Sequence, residues 1–173
     1  MVNFEVLKLR LYLDTNVLCR PFDDQTQARI REESEAFVRI LEMVERHTAT
    51  LISSDLLLLE VEIIRDLRKR ERARCYLELC SEHVSTHEEI RGLAEKLERL
   101  CGLVGRDAYH VSSACYSNAE YFLTCDDRML KRKKCAEYLA SKEGFKITML
   151  NPIEFVEQVL RREDKHERDL GAV

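Results

Sequence analysis

The sequence predicts a helix-rich α/β fold with three layers, α/β/α, around a central parallel sheet of about four to five strands. Of the 173 residues, only five are Gly and two are Pro, which leaves little turn chemistry for an all-β sandwich or barrel. Short apolar runs alternate with longer stretches of helical spacing, and no hairpin turn separates them. The hydrophobic fraction of 45% is enough for a packed core and argues against intrinsic disorder.

The first elements alternate between strand and helix. Leu9–Leu13 (LRLYL) is predicted to be a buried strand, and apolar residues recur at helical spacing from Gln27 to His47. Thr50–Ser53 is the second predicted strand, after which Ser54 and Asp55 can cap a helix. We expect that helix to continue, or to restart, through the basic stretch that follows.

Two helices are predicted in the middle of the chain. Thr86 and Glu89 have the spacing of a capping box and open the first of them. Gly102 and Gly105 interrupt the helical pattern, which resumes over Arg106–Ser117. This part of the chain is therefore predicted to be helical, with no pair of strands joined by a hairpin turn.

The last elements follow the same alternation. Glu120–Thr124 is predicted to be a strand, a short basic helix follows Asp126, and Lys146–Leu150 is a further strand. Asn151 and Pro152 have the residue types of a helix cap and first turn. The final helix is expected to begin there.

One domain is expected over residues 1–162, because compact domains commonly hold roughly 100–200 residues. Residues 163–173 form a charged tail that we expect to fray. The 28 basic and 32 acidic residues give a net charge of −4, which excludes a protein that coats nucleic acid by bulk charge. However, Arg65–Arg74 holds six basic and two acidic residues, and Arg128–Lys134 holds five basic and no acidic ones. A local site for a polyanion remains compatible with the total.

The seven cysteines are irregularly spaced, and we expect free, mostly buried thiols in a cytoplasmic protein. The apolar stretch Leu56–Leu59 is far short of the ~20 residues of a membrane helix. A zinc site is the alternative, since Cys75, Cys80, His83 and His87 form C-x4-C-x2-H-x3-H. On one continuous helix Cys75 and His83 would lie roughly 12 Å apart, too far to share zinc.

Polar and acidic residues follow the predicted strands. Asp14 ends the first strand, with Asn16 two residues on, and Thr124, Asp126 and Asp127 lie at the end of a later strand. Parallel sheets bind ligands beyond the carboxyl ends of their strands. Each acid alone also fits a strand end, a cap or a turn, so their joint position favours a site.

Two further acids lie on predicted helices. Glu60 interrupts an apolar run, and Asp107 occupies the first turn of its helix, where a carboxylate is also favoured by the helix dipole. Several carboxylates at one sheet edge repel one another unless a hard divalent cation such as Mg²⁺ or Mn²⁺ binds between them. Such a cation can polarise a phosphate and activate a water. The pattern favours phosphoester chemistry.

The stretches LYLDTNVL, SSDLLLLE, GRDAYHVSSA, FLTCDDRML and KITMLNPIEFV together resemble the PIN-domain family. Within it they resemble VapC-like ribonucleases, the toxins of toxin–antitoxin pairs. The resemblance spans residues 9–160 and implies a parallel sheet flanked by helices and an Mg²⁺- or Mn²⁺-dependent nuclease. Residues 20–36 (RPFDDQTQARIREESEA) depart from it, because they are longer and more polar than expected of a minimal VapC toxin.

The resemblance assigns roles to individual residues. The residues that it implies for catalysis and metal binding are Asp14, Glu60, Asp107 and Asp126. The supporting residues that it implies are Asn16, Thr124, Asp127 and His110. Glu62 is a weaker candidate on another helical face. In the implied reaction a metal-activated water attacks phosphorus and leaves 5′-phosphate and 3′-hydroxyl ends. His110 could contact a phosphate or hold Asp107, or make an ordinary surface hydrogen bond.

The expected partners follow from the same resemblance and from charge. Arg128, Lys131 and Arg132 follow the acidic loop directly and are expected to bind single-stranded RNA, whereas Arg65–Arg74 equally fits a solvated helix face. The resemblance implies an antitoxin partner, and the apolar helix surfaces fit a homodimer.

Two other functions were weighed. A haloacid-dehalogenase-type phosphatase needs a second Asp two residues after its nucleophile, and Asn16 stands there; an amide cannot act as the general acid. A catalytically inactive PIN-like module that binds RNA or protein remains the main alternative.

Overall fold

The computed structural model describes residues 8–159 and 161, so the expected tail at 163–173 lies outside the described residues. It contains one parallel five-stranded sheet in the order β3-β2-β1-β4-β5. The strands are β1 (Leu9–Leu13), β2 (Ala49–Ser54), β3 (Cys80–Val84), β4 (Tyr121–Leu123) and β5 (Thr148–Leu150). The predicted helix-rich α/β class is confirmed.

Helices connect the strands. They are α1 (Thr15–Cys19), α2 (Ala28–Glu45), α3 (Asp55–Glu62), α4 (Leu67–Leu77), α5 (Glu88–Cys101), α6 (Arg106–Tyr116), α7 (Asp127–Leu130), α8 (Lys133–Lys142) and α9 (152–159). A short 3-10 helix, Arg20–Phe22, follows α1. Of the helices described, none has the length and apolar character needed to cross a membrane.

The sheet separates two apolar cores. Side chains of successive strand residues point to opposite faces, so Leu11 and Leu13 join the core beneath α2, α4 and α9. Tyr12 points the other way, into the core covered by α5, α6 and α8. The predicted three-layer arrangement is therefore present, and Tyr12 places a fully buried hydroxyl group in the second core.

The strand order creates a crevice at the carboxyl edge. The chain passes from β1 to β2 and β3 on one side, and β4 and β5 lie on the other. The order reverses between β1 and β4, and ligands of open α/β sheets bind at such a switch point. Asp14 and Thr124, which directly follow these two strands, lie on either side of it.

One strand was not predicted. The basic helix does restart, because α3 ends at Glu62 and α4 begins at Leu67 after Asp66, whose side chain accepts a hydrogen bond from the Lys69 amide. The chain then forms β3 at the edge of the sheet instead of continuing as a helix. The middle of β3 is exposed and polar, so it carries no apolar alternation that would reveal a strand.

Two local predictions near other helix ends also need correction. The cap of α5 is His87, and the Thr86 amide donates to Asp55 instead of forming a capping box with Glu89. The region after Asp126 forms two helices, α7 and α8, instead of one short helix. The Asn151 cap is confirmed, since its Oδ1 accepts from the amide of Ile153 at 2.9 Å.

The expectation of free thiols is wrong for two cysteines. Cys101, the last residue of α5, forms a disulfide with Cys135 on α8, and the other five cysteines are free. In the zinc alternative, His83 bonds to Ser53 and Asp55, and His87 pairs with Glu89. Within the described residues these cysteines and histidines form no metal-binding group.

Candidate metal centre

Asp14 lies at the switch point with one carboxylate oxygen already engaged. Its backbone amide donates to the Leu123 carbonyl at 2.9 Å, which extends the β1–β4 pairing by one residue. Its Oδ2 accepts from Thr124 Oγ1 at 2.8 Å and from Asn16 Nδ2 at 2.5 Å. Asn16 Oδ1 in turn accepts from the Cys125 amide at 2.9 Å. The amide of Asn16 is thus committed to holding the two strand ends together, which argues against the phosphatase alternative.

Glu60 approaches Asp14 from α3. Its Oε2 accepts hydrogen bonds from Thr15 Oγ1 and, at 2.9 Å, from His110 Nε2. The Arg106 guanidinium lies 3.6 Å from the other oxygen, Oε1. Burial favours a neutral carboxyl, but His110 and Thr15 outweigh it and the pKa of Glu60 lies below its ordinary value. Glu60 is therefore held as an anion.

His110 occupies a different place from any that the sequence suggested. It is only 2% exposed, and it contacts Glu60 instead of Asp107 or the surface. Its Nδ1 lies 2.9 Å from the Tyr12 hydroxyl, which lies 2.6 Å from Ser54 Oγ. Burial lowers the pKa of His110. The hydrogen bond to Glu60 and the negative charges of Asp14 and Glu60 raise it by more than burial lowers it, so the pKa of His110 lies above its ordinary value.

These contacts form a closed ring. Ser54 accepts from the Leu57 amide and so caps α3, the helix that carries Glu60. The ring runs from Glu60 through His110 and Tyr12 to Ser54 and back along the helix. A buried tyrosine hydroxyl normally has a hydrogen-bond partner. Tyr12 in a predicted buried strand was therefore the one sequence feature that could have indicated a buried polar network here. Its partners, His110 and Ser54, lie far from it along the chain.

The donor atoms of three residues converge. One ligand atom from each of Asp14, Glu60 and His110 lies within 4.8 Å of the others. The two carboxylates suit a hard divalent cation such as Mg²⁺ or Mn²⁺, whereas both ring nitrogens of His110 are already engaged, by Glu60 and by Tyr12. Burial raises the pKa of Asp14 and the nearby Glu60 charge adds to this shift, so a cation here would relieve an electrostatic cost. The residues present fit a divalent metal.

Asp107 and Asp126 flank this group on its exposed side. Burial, followed by the negative charges of Asp14 and Asp126, raises the pKa of Asp107. Asp126 caps α7 and pairs with Arg128 at 2.7 Å, which lowers the pKa of Asp126. Within the described part of the chain, the Asp107 carboxylate has neither a hydrogen bond nor an ion pair. It is the acid with the most freedom to bind a ligand.

Two further acids face away from the group. Asp127 makes a bidentate ion pair with Arg29, with distances of 2.7 and 2.5 Å. Glu62 pairs with Arg74 on α4. The structure therefore brings Asp14, Glu60, Asp107 and Asp126 to one edge, whereas Asp127 and Glu62 bind arginines.

A basic cavity of about 450 Å³ opens beside Asp107. Its lining residues are Gly102, Leu103, Val104, Asp107, Arg128, Met129, Lys131 and Arg132. Gly102 ends α5 at φ 69°, and the Arg132 guanidinium lies 3.7 Å from where a Gly102 Cβ would be. In contrast to Arg128, neither Lys131 nor Arg132 forms an ion pair with any described residue, so both charges are available to an anion.

We distinguish two parts of the carboxyl edge. The buried half consists of Asp14, Glu60, His110, Tyr12 and Ser54. The open half consists of Asp107, Asp126, Arg128, Lys131 and Arg132. The first is closed by internal hydrogen bonds, and the second borders the cavity.

Comparisons with known proteins agree with this fold. A family model described as PIN domain matches residues 11–135. The chain is similar to a crystal structure of VapBC2 from Rickettsia felis bound to a DNA fragment from their promoter, with a TM-score of 0.53 and 15% identity over 83% of this chain and 98% of that chain. It is also similar to VapBC-1 from nontypeable Haemophilus influenzae, with a TM-score of 0.51 and 14% identity over the same shares. No curated protein sequence matches the chain.

Proposed function

The chain belongs to the PIN-domain family, and from that premise we propose that it is an Mg²⁺- or Mn²⁺-dependent endoribonuclease that cleaves single-stranded RNA. The observation that carries the proposal is the convergence of Asp14 and Glu60 at the switch point, with Asp107 and Asp126 beside them. Like charges accumulate there only at a free-energy cost, which a divalent cation offsets.

The proposed roles differ between residues. Asp14, Glu60, Asp107 and Asp126 would hold the cation and orient the attacking water, and Asn16 and Thr124 fix the rotation of the Asp14 carboxylate. The bound cation would polarise the phosphate and lower the pKa of the water. His110 is a positioning residue, because its Nε2 bonds to Glu60 and its Nδ1 to Tyr12.

RNA would enter from the open half. Lys131 and Arg132 border the cavity and pair with no carboxylate among residues 8–159, and Arg128 pairs with Asp126. Phosphate contacts of this kind contribute affinity without sequence preference. Sequence preference for the RNA would have to arise from other surfaces.

The decisive experiment is cleavage of structured and unstructured RNA oligonucleotides by the purified protein, with Mg²⁺, Mn²⁺ or EDTA. Asp14→Asn and Asp126→Asn should abolish cleavage while circular dichroism remains that of the parent. Asp66→Asn, at the cap of α4 away from the edge, is the matched control and should retain activity. Cleavage that persists in EDTA, or in Asp14→Asn, contradicts the mechanism; metal-dependent RNA binding without cleavage would favour the inactive module.

We further propose that the protein is a cytoplasmic toxin that forms a homodimer and pairs with an antitoxin. The likeness to the two VapBC structures supports the toxin role and the antitoxin partner. Induced expression should arrest growth for the parent and not for Asp14→Asn, and co-expression of an adjacent small gene product should restore growth. Sedimentation of the purified protein measures the dimer. Unimpaired growth with an active nuclease would refute the toxin role alone.

A further inference from the structure

Residues 20–36, which depart from the minimal toxin pattern, contain a buried charge. Glu33 on α2 is fully buried at 0% exposure, and a buried carboxylate is costly unless it is paired. Arg29 Nε donates to its Oε1 at 3.1 Å, and Asn151 Nδ2 donates to the same atom at 2.7 Å. Arg20 Nε lies 2.6 Å from Oε2 without hydrogen-bond alignment, so that contact is ionic.

Arg29 connects this buried charge to the acidic loop. Its two terminal nitrogens donate to the two carboxylate oxygens of Asp127, at 2.7 and 2.5 Å. A planar guanidinium paired with a carboxylate in this way fixes orientation as well as distance. The pKa of Asp127 is lowered by this pair, and the pKa of Arg29 is raised by Asp127 and Glu33.

The loop that Arg29 reaches carries one of the proposed metal-binding acids. Asp127 is the first residue of α7, and Asp126, its neighbour, is the cap. The preceding residues are held from within the site, since the Cys125 amide donates to Asn16 and the Asp126 amide donates to Thr124. Arg29 holds the next residue from outside. The loop is therefore anchored on both sides of Asp126.

We propose that Arg29 is a positioning residue that sets the orientation of Asp126 by holding Asp127. The inference rests on the proposed nuclease function, because Asp126 matters only if it holds the cation. It also gives a role to the departing segment, which supplies Arg29 and Glu33. Asp127 then serves as the attachment point of the loop instead of as an outer metal ligand.

A direct contact between Arg29 and RNA is the competing explanation, since the Arg29 side chain is half exposed. The two explanations predict different kinetics. A positioning residue acts through Asp127, so loss of either partner should lower kcat by a similar factor and hardly change KM. A phosphate contact should raise KM on loss of Arg29 alone.

The test compares Arg29→Met, Asp127→Asn and the double variant with the parent. Arg39→Met is the matched control, because Arg39 lies on the same helix and forms an exposed ion pair with Glu42. We expect each single variant to lower kcat for an unstructured RNA in Mg²⁺ by roughly tenfold to a hundredfold, with KM within twofold, because small misplacements of reacting groups have effects of this size. The double variant should be no worse than either single one, and Arg39→Met should match the parent.

Amide hydrogen exchange over residues 125–128 gives a readout that needs no activity. Protection should fall in Arg29→Met and in Asp127→Asn and stay unchanged in Arg39→Met. Unchanged protection, additive effects on kcat, or a change in KM confined to Arg29→Met would each overturn the inference. A parent that cleaves no RNA would contradict the proposed function, whereas the exchange result would still decide whether Arg29 orders the loop.

Discussion

The buried and open halves of the carboxyl edge are held together in different ways. In the buried half, each polar side chain bonds to another, so that β1, β2, α3 and α6 meet in one hydrogen-bonded ring. The open half borders a solvent-filled cavity, and a covalent bond, Cys101–Cys135, joins the α5 and α8 ends that flank it.

This contrast follows from what each half must do. A metal-binding group needs fixed geometry, and buried hydrogen-bond networks provide it at a desolvation cost. A surface that admits a polyanion must leave its cations solvated and unpaired, so it can take little rigidity from buried contacts. The disulfide supplies rigidity there without shielding Lys131 or Arg132. The comparison predicts that damage to one half should leave the other largely intact.

Removal of the disulfide should have the largest effect on stability. Cys101 and Cys135 are 34 residues apart, and closure of a loop of this length is worth about 4 kcal/mol by chain entropy. The double variant Cys101→Ala/Cys135→Ala should lose about this much unfolding free energy in urea. Its KM for RNA should rise, while the unfolding free energy lost on His110→Ala in the buried half stays the same as in the parent.

The control for the disulfide is Cys75→Ala, which removes an exposed free thiol and should change stability by less than about 0.5 kcal/mol. Burial raises the pKa of Cys115 to about 12, so that thiol should not react in the folded protein. An unchanged unfolding free energy in the double variant, or a different cost of His110→Ala in its background, would refute the independence of the two halves.

Disruption of the ring should come next in size. His110→Ala removes two hydrogen bonds at once, to Glu60 and to Tyr12, which keep only Thr15 and Ser54 as hydrogen-bond partners, and such a change costs about 2–3 kcal/mol. Tyr12→Phe removes one hydroxyl from the same ring and should cost about 1 kcal/mol. Urea unfolding in EDTA measures both without a contribution from bound metal. Equal effects of the two variants would mean that the ring does not act through His110.

The ring also predicts a pH dependence in EDTA. The pKa of folded His110 lies above its ordinary 6.5, so its contribution is complete below that pH and is lost as pH rises through the folded value. The pKa of folded Glu60 lies below its ordinary 4.5, so its contribution is lost as pH falls through the folded value. The stability difference between the parent and His110→Ala should therefore be largest between these two ordinary values. A difference that grows steadily above pH 7 would contradict the pairing.

The sequence predicted the parts of the site that depend on strand ends. Asp14 and Asp126 follow buried strands, and in a parallel sheet such positions meet at one edge. The edge strand β3 escaped prediction because its exposed middle residues have no apolar alternation. The spacing of apolar residues shows which face of an element is buried. It cannot reveal a strand such as β3, whose middle residues are exposed on both faces.

The remaining contacts depend on how helices are oriented, which local patterns do not encode. Glu60 and His110 are 50 residues apart, and Arg29 and Asp127 are 98 apart. Glu60 stands out locally because it interrupts an apolar run, but nothing near Glu60 in the sequence identifies His110 as its partner, and nothing near Arg29 identifies Asp127. Only the packing of α3 against α6, and of α2 against the α7 loop, makes them partners. The sequence therefore predicts for His110 a phosphate contact, a bond to Asp107 or a surface hydrogen bond, and it predicts no role for residues 20–36.

The smallest effect should come from the basic side chains of the open half. Lys131→Ala/Arg132→Ala should change the unfolding free energy by at most about 0.5 kcal/mol, because neither residue forms an ion pair with a described residue. Loss of two phosphate contacts should reduce the slope of log affinity against log salt by about 1.4 for single-stranded RNA. Binding to catalytically inactive Asp14→Asn, measured between low and moderate salt, gives this slope without cleavage.

The matched control for these side chains is Arg68→Ala/Arg72→Ala on α4, which removes two exposed arginines from the other basic window. If that helix is a solvated face, its variant should keep the parental slope. A reduced slope in the α4 variant and an unchanged slope in Lys131→Ala/Arg132→Ala would mean that RNA binds to the basic face of α4 instead of the open half. The open half would then hold the cation's exposed acids without being the entry for the substrate.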